Sequence, residues 1–250
     1  MKSLTPARLL YLLYFILIGG PLFLLATILC CIVVIFASYV GLPASFISKT
    51  TKAWSWTCLA VSLCRVTVRG REHLPSSDAP CVVVANHQSA YDIFVLNAYI
   101  GIPFKWVMKQ ELRSIPMVGK ACEAAEFIFV DETKVSSIAQ TIQDAKKVIA
   151  TGNSIFIFPE GSRTENGRMT RFKKGAFVIA SELDAPILPV TIDGAFSILP
   201  RGTYLPHLGR VTMTIHPAFR MSEQAEPPAH IPASARLAQQ VIASALSEDK

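Results

Sequence analysis

The chain has 250 residues, 51% of them hydrophobic and 17% charged, with a formal net charge of +6 at pH 7. Soluble domains average about 45–50% apolar residues, so an apolar surplus is concentrated somewhere, and the positive balance then suits an anionic membrane surface or an anionic substrate better than a nucleic acid. The six cysteines (30, 31, 58, 64, 81 and 122) form no C-x-x-C pair and lie in or near apolar stretches, which argues against a zinc cluster or a disulfide framework and for reduced thiols in a cytoplasmic catalytic domain.

The surplus sits at the front. From Leu9 to Ser48 there is no Asp, Glu, Lys or Arg, and Gly19-Gly20-Pro21 divides this run into arms at Leu9–Ile18 and Leu22–Val40. A cleaved signal peptide has a shorter apolar core and a small-residue cleavage site, so this run is too long for one. A spanning helix needs about 20 apolar residues. Two arrangements remain: two full spans, or a helical membrane hairpin that bends at Gly19-Gly20-Pro21, dips into one leaflet and returns. Lys2 and Arg8 stand before the run, and Lys49, Lys52, Arg65, Arg69 and Arg71 after it. Positive flanks on both sides place both ends in the cytoplasm, at the cytoplasmic (inner) membrane. The next apolar stretch, Ala53–Cys64, carries Trp54 and Trp56 and reads equally as an interfacial segment or as a packed helix of the soluble part.

Strands and helices then alternate. Strands are expected at Val66–Val68, Cys81–Ala85, Phe104–Met108, Phe127–Val130, Ile155–Phe158, Ile187–Ile192 and Arg210–His216. Helices are expected at Tyr91–Tyr99, Lys134–Ala150, Lys174–Leu183 and Pro232–Leu246. The apolar positions 135, 138, 142, 145, 148 and 149 keep the helical period, with Asp131 or Thr133 as cap and Gly152 as stop. Pro227-Pro228 marks a linker. The expected architecture is an α/β domain at 66–220, with helices flanking a mixed sheet. A membrane-associated helical hairpin and interfacial helix at 1–65 precede it, and a linker with a short helix at 221–250 follows.

Two short words carry chemistry. Asn86-His87-Gln88-Ser89-Ala90-Tyr91-Asp92 and Phe158-Pro159-Glu160-Gly161-Ser162-Arg163 each begin where a buried strand ends, the edge of an α/β sheet where ligands bind. With His87 in the turn and Asp92 in the first helical turn, the carboxylate reaches one ring nitrogen and leaves the other basic, as in the base-and-orienter half of a Ser-His-Asp triad. Ser162 is not in a G-x-S-x-G elbow, so the hydroxyl that His87 activates belongs to the substrate. Glu160 is an acceptor for substrate hydroxyls or backbone N–H groups. Gly161 permits a tight turn or close approach, and Arg163 offers a fork-shaped donor for a phosphate. Lys173 and Lys174 extend the basic stretch, which reads equally as a solvated loop.

Taken together, these residues resemble the 1-acylglycerol-3-phosphate acyltransferases, membrane enzymes with N-H-x-x-x-x-D and F-P-E-G-[ST]-R motifs. The resemblance covers roughly residues 66–216 and includes Lys109-Gln110-Glu111-Leu112 with Ile115-Pro116 and Gly119, Lys173-Lys174-Gly175, and Ile187-Leu188-Pro189-Val190. One departure is that Asp131-Glu132 follow the strand ending at Val130, where the family often has an Arg. The resemblance implies that His87 is general base on the sn-2 hydroxyl of a lysophospholipid and that Asp92 orients it. It further implies that acyl-CoA or acyl-carrier protein donates the acyl chain without metal or other cofactor, giving phosphatidic acid for phospholipid synthesis. Lys109, Glu160, Gly161, Ser162, Arg163, Lys173 and Lys174 would serve substrate binding. The acceptor stays open between 1-acylglycerol-3-phosphate, glycerol-3-phosphate, lyso-ornithine lipid and other lysolipids. A hydrolase and a non-catalytic membrane-tethered lipid-binding domain are the competing classes.

Overall fold

We describe residues 5–75, 79–131 and 135–247 in a computed structural model of the chain. The apolar front differs from expectation in where it turns. Helices α1 (Pro6–Tyr14) and α2 (Gly20–Tyr39) are joined by a π-helical turn, Phe15–Gly19, into one continuous helix, Pro6–Tyr39, that is long and apolar enough to cross a membrane. Gly19-Gly20-Pro21 is therefore not a hairpin bend. Pro21 brings no N–H and its ring crowds the carbonyl four residues back; the widened turn, closed by Gly20 N–H on Phe15 O, absorbs it within the helix.

The glycines serve close approach instead. A Cβ on Gly19 would stand 2.9 Å from Val61 O at the end of α3 (Ala44–Val61), where Tyr14 and Tyr11 donate to Val61 O and Ser62 O at 3.0 Å each. The hairpin turns at residues 40–43. Gly41, at φ +71°, and Leu42 donate to Ser38 O and Ala37 O, closing α2 in a Schellman motif before Pro43 starts α3. Within α3 the two tryptophans divide the expected roles. Trp54 donates to Thr27 at 3.0 Å and packs edge-on against Phe94, while Trp56 stays half exposed under Lys52.

Strands β1 (Arg65–Arg69), β2 (Val82–Ala85), β3 (Phe104–Lys109), β4 (Ile128–Val130), β5 (Ser154–Ile157), β6 (Ile187–Asp193) and β7 (Arg210–Ile215) form one sheet in the order β1-β7-β6-β2-β5-β3-β4. Neighbours are parallel except β6 and β7, so the sheet is mixed, as expected. The helices α4 (Tyr91–Tyr99), α6 (Val135–Ala150), α7 (Gly175–Glu182) and α9 (His230–Ala243) match expectation. Two were not foreseen, α5 (Val118–Ala124) and α8 (Ala195–Ile198), both too short for a periodic signal. Lys2, Glu132, Thr133 and Lys134 lie outside the described residues.

The central strands are buried on both faces, which is why they read as unbroken apolar runs. Val83 and Ala85 pack with α3 and α4, and Val82 and Val84 with α7 and α9. The carboxyl ends of β2 and β5 therefore lie at the centre of the sheet. Their register, Val84 opposite Ile157, brings the residues after Ala85 beside those after Ile157. Asn86 holds this edge against β6: its Nδ2 donates to Ile192 O and its Oδ1 accepts from Ile192 N–H, both at 2.8 Å and fully buried. Asn86→Ala leaves both backbone groups of Ile192 without their partner, at about 1–3 kcal/mol for each buried group. With roughly 2–4 °C per kcal/mol for a chain of this size, thermal melting is expected to move down by about 4 °C or more. An unchanged melting temperature would mean that Asn86 does not hold β2 to β6.

Candidate active site

The local chain path explains the acid–base pair. β2 ends in Asn86, the turn 86–90 follows, and Asp92 falls in the first turn of α4, where the helix N-terminus favours a carboxylate. His87 Nδ1 lies 2.8 Å from Asp92 Oδ2. Asp92 is fully buried, and the same oxygen accepts from Gln88 N–H at 2.6 Å and Ser89 N–H at 2.8 Å. An acceptor-only carboxylate on Nδ1 fixes the proton there and leaves Nε2 with its lone pair. The imidazole plane is also set: it stacks on Phe158, with centroids 3.8 Å apart and rings inclined by 9°. Phe158 opens the second motif, and sequence reading gave it no role beyond ending a strand.

The second motif grips the backbone of the first. Glu160 is 5% exposed. Its Oε1 accepts from His87 N–H at 2.7 Å, and its Oε2 from Thr170 N–H and the Thr170 hydroxyl, each at 2.7 Å. Thr164 N–H donates to His87 O at 2.9 Å. Of the two partners expected for Glu160, backbone N–H groups hold it and its oxygens are occupied by the protein. Gly161 takes φ +75° and donates to Phe158 O at 3.0 Å, closing the turn.

A cavity of about 480 Å³ opens beside the dyad. Its walls are largely apolar: Trp54 of α3, Ile93 of α4, Trp106 of β3, Phe127 and Phe158. His87 lies in its lining, and Lys109, Gly161, Ser162, Arg163 and Arg201 also line it. Among the described residues, neither Lys109 nor Arg163 has a hydrogen bond or ion pair from its charged group, so both cations stand available. Arg201 was not foreseen. It follows α8, 38 residues after Arg163, and no motif marks it. Its Nη1 donates to Arg163 O at 3.2 Å and stands 3.5 Å from the exposed Glu165. Lys173 and Lys174 are exposed and do not line this cavity; Lys173 N–H donates to Pro159 O at 2.8 Å, bracing the motif from behind.

Cys122 also lines the cavity. Burial, reinforced by Cys31 and Glu123, pushes its thiol up to about 11, so near neutral pH it is a thiol and a poor nucleophile. Among the described residues, no three His, Cys, Asp or Glu side chains converge to hold a metal ion. The arrangement is therefore an oriented imidazole in the lining of a largely apolar cavity, with two or three cations beside it.

Comparisons with known proteins show what the chain is similar to. The chain is 31% identical over 212 residues to a 1-acyl-sn-glycerol-3-phosphate acyltransferase of Chlamydomonas reinhardtii, covering 84% of this chain and 62% of that one. It is 37% identical over 154 residues to a chloroplastic counterpart of Brassica napus, covering 61% of this chain and 44% of the other. The chain thus spans less than two thirds of the length of these relatives. The crystal structure of the 1-acyl-sn-glycerophosphate acyltransferase PlsC from Thermotoga maritima superposes with a TM-score of 0.75 at 25% identity, over 97% of this chain and 98% of that one. The Acyltransferase family model matches residues 65–193, from β1 to the end of β6 and across both motifs. The chain belongs to the acyltransferase family.

Proposed function

We propose that the protein transfers an acyl chain from acyl-CoA or acyl-carrier protein to the sn-2 hydroxyl of 1-acylglycerol-3-phosphate, yielding phosphatidic acid. The observation that carries this reading is the Asp92–His87 pair, 2.8 Å apart and stacked on Phe158, facing an apolar cavity that Arg163 and Lys109 also line. The curated relatives are named for this activity. His87 Nε2 takes the proton of the acceptor hydroxyl as its oxygen forms a bond to the thioester carbonyl carbon. The tetrahedral adduct collapses, the C–S bond breaks, and the proton on Nε2 goes to the departing thiolate. Asp92 holds the imidazolium between the two steps. No acyl-enzyme is needed, which fits the protonated Cys122.

Arg163, Lys109 and Arg201, which line the cavity together, hold the acceptor's phosphate. Glu160 acts as a positioning residue through the backbone of His87, and Lys173 and Lys174 stand outside the cavity. The helix Pro6–Tyr39 lies in the cytoplasmic membrane with the catalytic domain on the cytoplasmic side, so that a lipid acceptor arrives from the leaflet and the thioester from solution.

His87→Ala removes the base and is expected to lower kcat by about 10²–10⁴-fold while the melting temperature stays within about 2 °C, a shift worth roughly 1 kcal/mol here. Transfer within a few-fold of wild type would contradict the mechanism. Arg163→Ala is expected to raise the acceptor's KM by roughly 10–150-fold, since a hydrogen bond to a charged group contributes about 1.5–3 kcal/mol, and to leave the thioester's KM nearly unchanged. Arg201→Ala is expected to act in the same direction but less, because Glu165 already shares its charge. Steady-state kinetics on both substrates separate these outcomes; equal rises in both KM values would argue for loop distortion instead of phosphate contact.

A further inference from the structure

Between α8 and β7 the chain makes an excursion, residues 200–209, whose backbone is firmly held. Thr203 N–H donates to Pro200 O at 3.1 Å, His207 N–H to Ile198 O at 2.8 Å, and Arg65 N–H, where β1 starts, to Gly209 O at 3.2 Å. Pro206 is buried, and a Cβ on Gly209 would stand 2.5 Å from Ile198 Cγ1. On this fixed frame three large apolar side chains point into solvent: Tyr204 is 92% exposed, Leu205 43% and Leu208 53%. A single exposed leucine is ordinary. Three such residues within five positions on a rigid loop form a patch that calls for a partner.

Two contacts say which partner. His207 Nε2 accepts from Arg8 Nη2 at 3.4 Å, tying the loop to the start of α1. There Leu9, Leu10 and Leu13 are themselves widely exposed, so the patch continues the apolar surface of the N-terminal helix. At the other end Arg201, four residues before Leu205, lines the catalytic cavity. An amphipathic aromatic ring beside leucines and a basic residue is the composition of an element that settles between headgroups and acyl chains of an anionic bilayer.

We propose that residues 200–209 are a membrane-docking loop. Tyr204, Leu205 and Leu208 seat in the headgroup–acyl boundary beside α1, holding the Arg201 side of the cavity at the lipid surface so that a lysophospholipid passes into the cavity without crossing water. This rests on the reading that Pro6–Tyr39 lies in a bilayer and that the acceptor is a lipid.

The test uses the full chain reconstituted in vesicles containing phosphatidylglycerol. Tyr204→Trp adds a fluorophore at the tip of the loop, and Leu24→Trp, on the exposed face of α2, is the control for the helix. Brominated acyl chains are expected to quench the added emission at both positions, and aqueous iodide at neither. Quenching by lipid at 24 but by iodide at 204 overturns the docking loop; quenching by iodide at both overturns the membrane placement with it. These readings need no activity, so they stand even where the proposed reaction fails. In kinetics, Tyr204→Ser/Leu205→Ser/Leu208→Ser is expected to raise KM for a vesicle-borne acceptor about tenfold or more, the factor that covering one large apolar side chain represents. The same variant is expected to leave kcat/KM for a short-chain, monomeric acceptor unchanged. An unchanged vesicle KM, or an equal loss on both acceptors with lowered melting, overturns the proposal.

Discussion

The site depends on one buried carboxylate whose oxygens are held by the protein's own donors. Glu160 accepts three hydrogen bonds at 2.7 Å, one from the backbone of His87 and two from Thr170. A buried charge with fewer partners would be costly; with three donors it becomes a rigid clamp between two loops distant in sequence. The clamp works because β2 and β5 are adjacent, parallel and in register, so the same strand-end position recurs on both. His87 is thereby fixed three ways: through its backbone by Glu160 and Thr164, through Nδ1 by Asp92, and through its ring face by Phe158. Under the proposed function, a base held this firmly is already oriented before it reacts.

The apolar front is part of the site as well as an attachment to it. Thr51 and Trp54 of α3 line the cavity, and Phe23 of α2 packs edge-on against Phe94 of α4 at 5.3 Å, in the helix that carries Asp92. α2 also packs on α5 through Cys31, Val34 and Ala37, beside the cavity residues Val118 and Cys122. The helical hairpin and the catalytic domain thus share a wall. Under the proposed function, an acyl chain in the cavity would lie between the base and the membrane-facing helices, which gives a lipid substrate a continuous apolar surface.

Much of this was legible in the sequence where local chemistry decides structure. The central strands declare themselves as short apolar runs, β7 by its alternation and α6 by its period. The 2.8 Å His87–Asp92 contact follows from placing a turn before α4. The hairpin turn was misplaced because Gly-Gly-Pro reads as a breaker locally, whereas the long helix tolerates it through a π turn and uses Gly19 for contact with Val61 O. That contact spans 42 positions, and no local pattern encodes it. Arg201 was missed for the same reason: it meets Arg163 across 38 positions, and no local motif marks it. Glu160 reads in the sequence as an acceptor for substrate hydroxyls or backbone N–H groups and Phe158 as the end of a strand; the strand register is what brings one to the backbone of His87 and the other to its ring.

The most direct test of the account is product analysis. Purified full-length protein in mixed vesicles would be given 1-acylglycerol-3-phosphate and an acyl thioester labelled in the acyl chain, and the lipids separated. The account predicts label in phosphatidic acid, esterified at sn-2, with one thiol released per acyl chain transferred. Label recovered as free fatty acid, or thiol release independent of the acceptor, would show that water rather than a lipid hydroxyl is the nucleophile that His87 serves, and would contradict it.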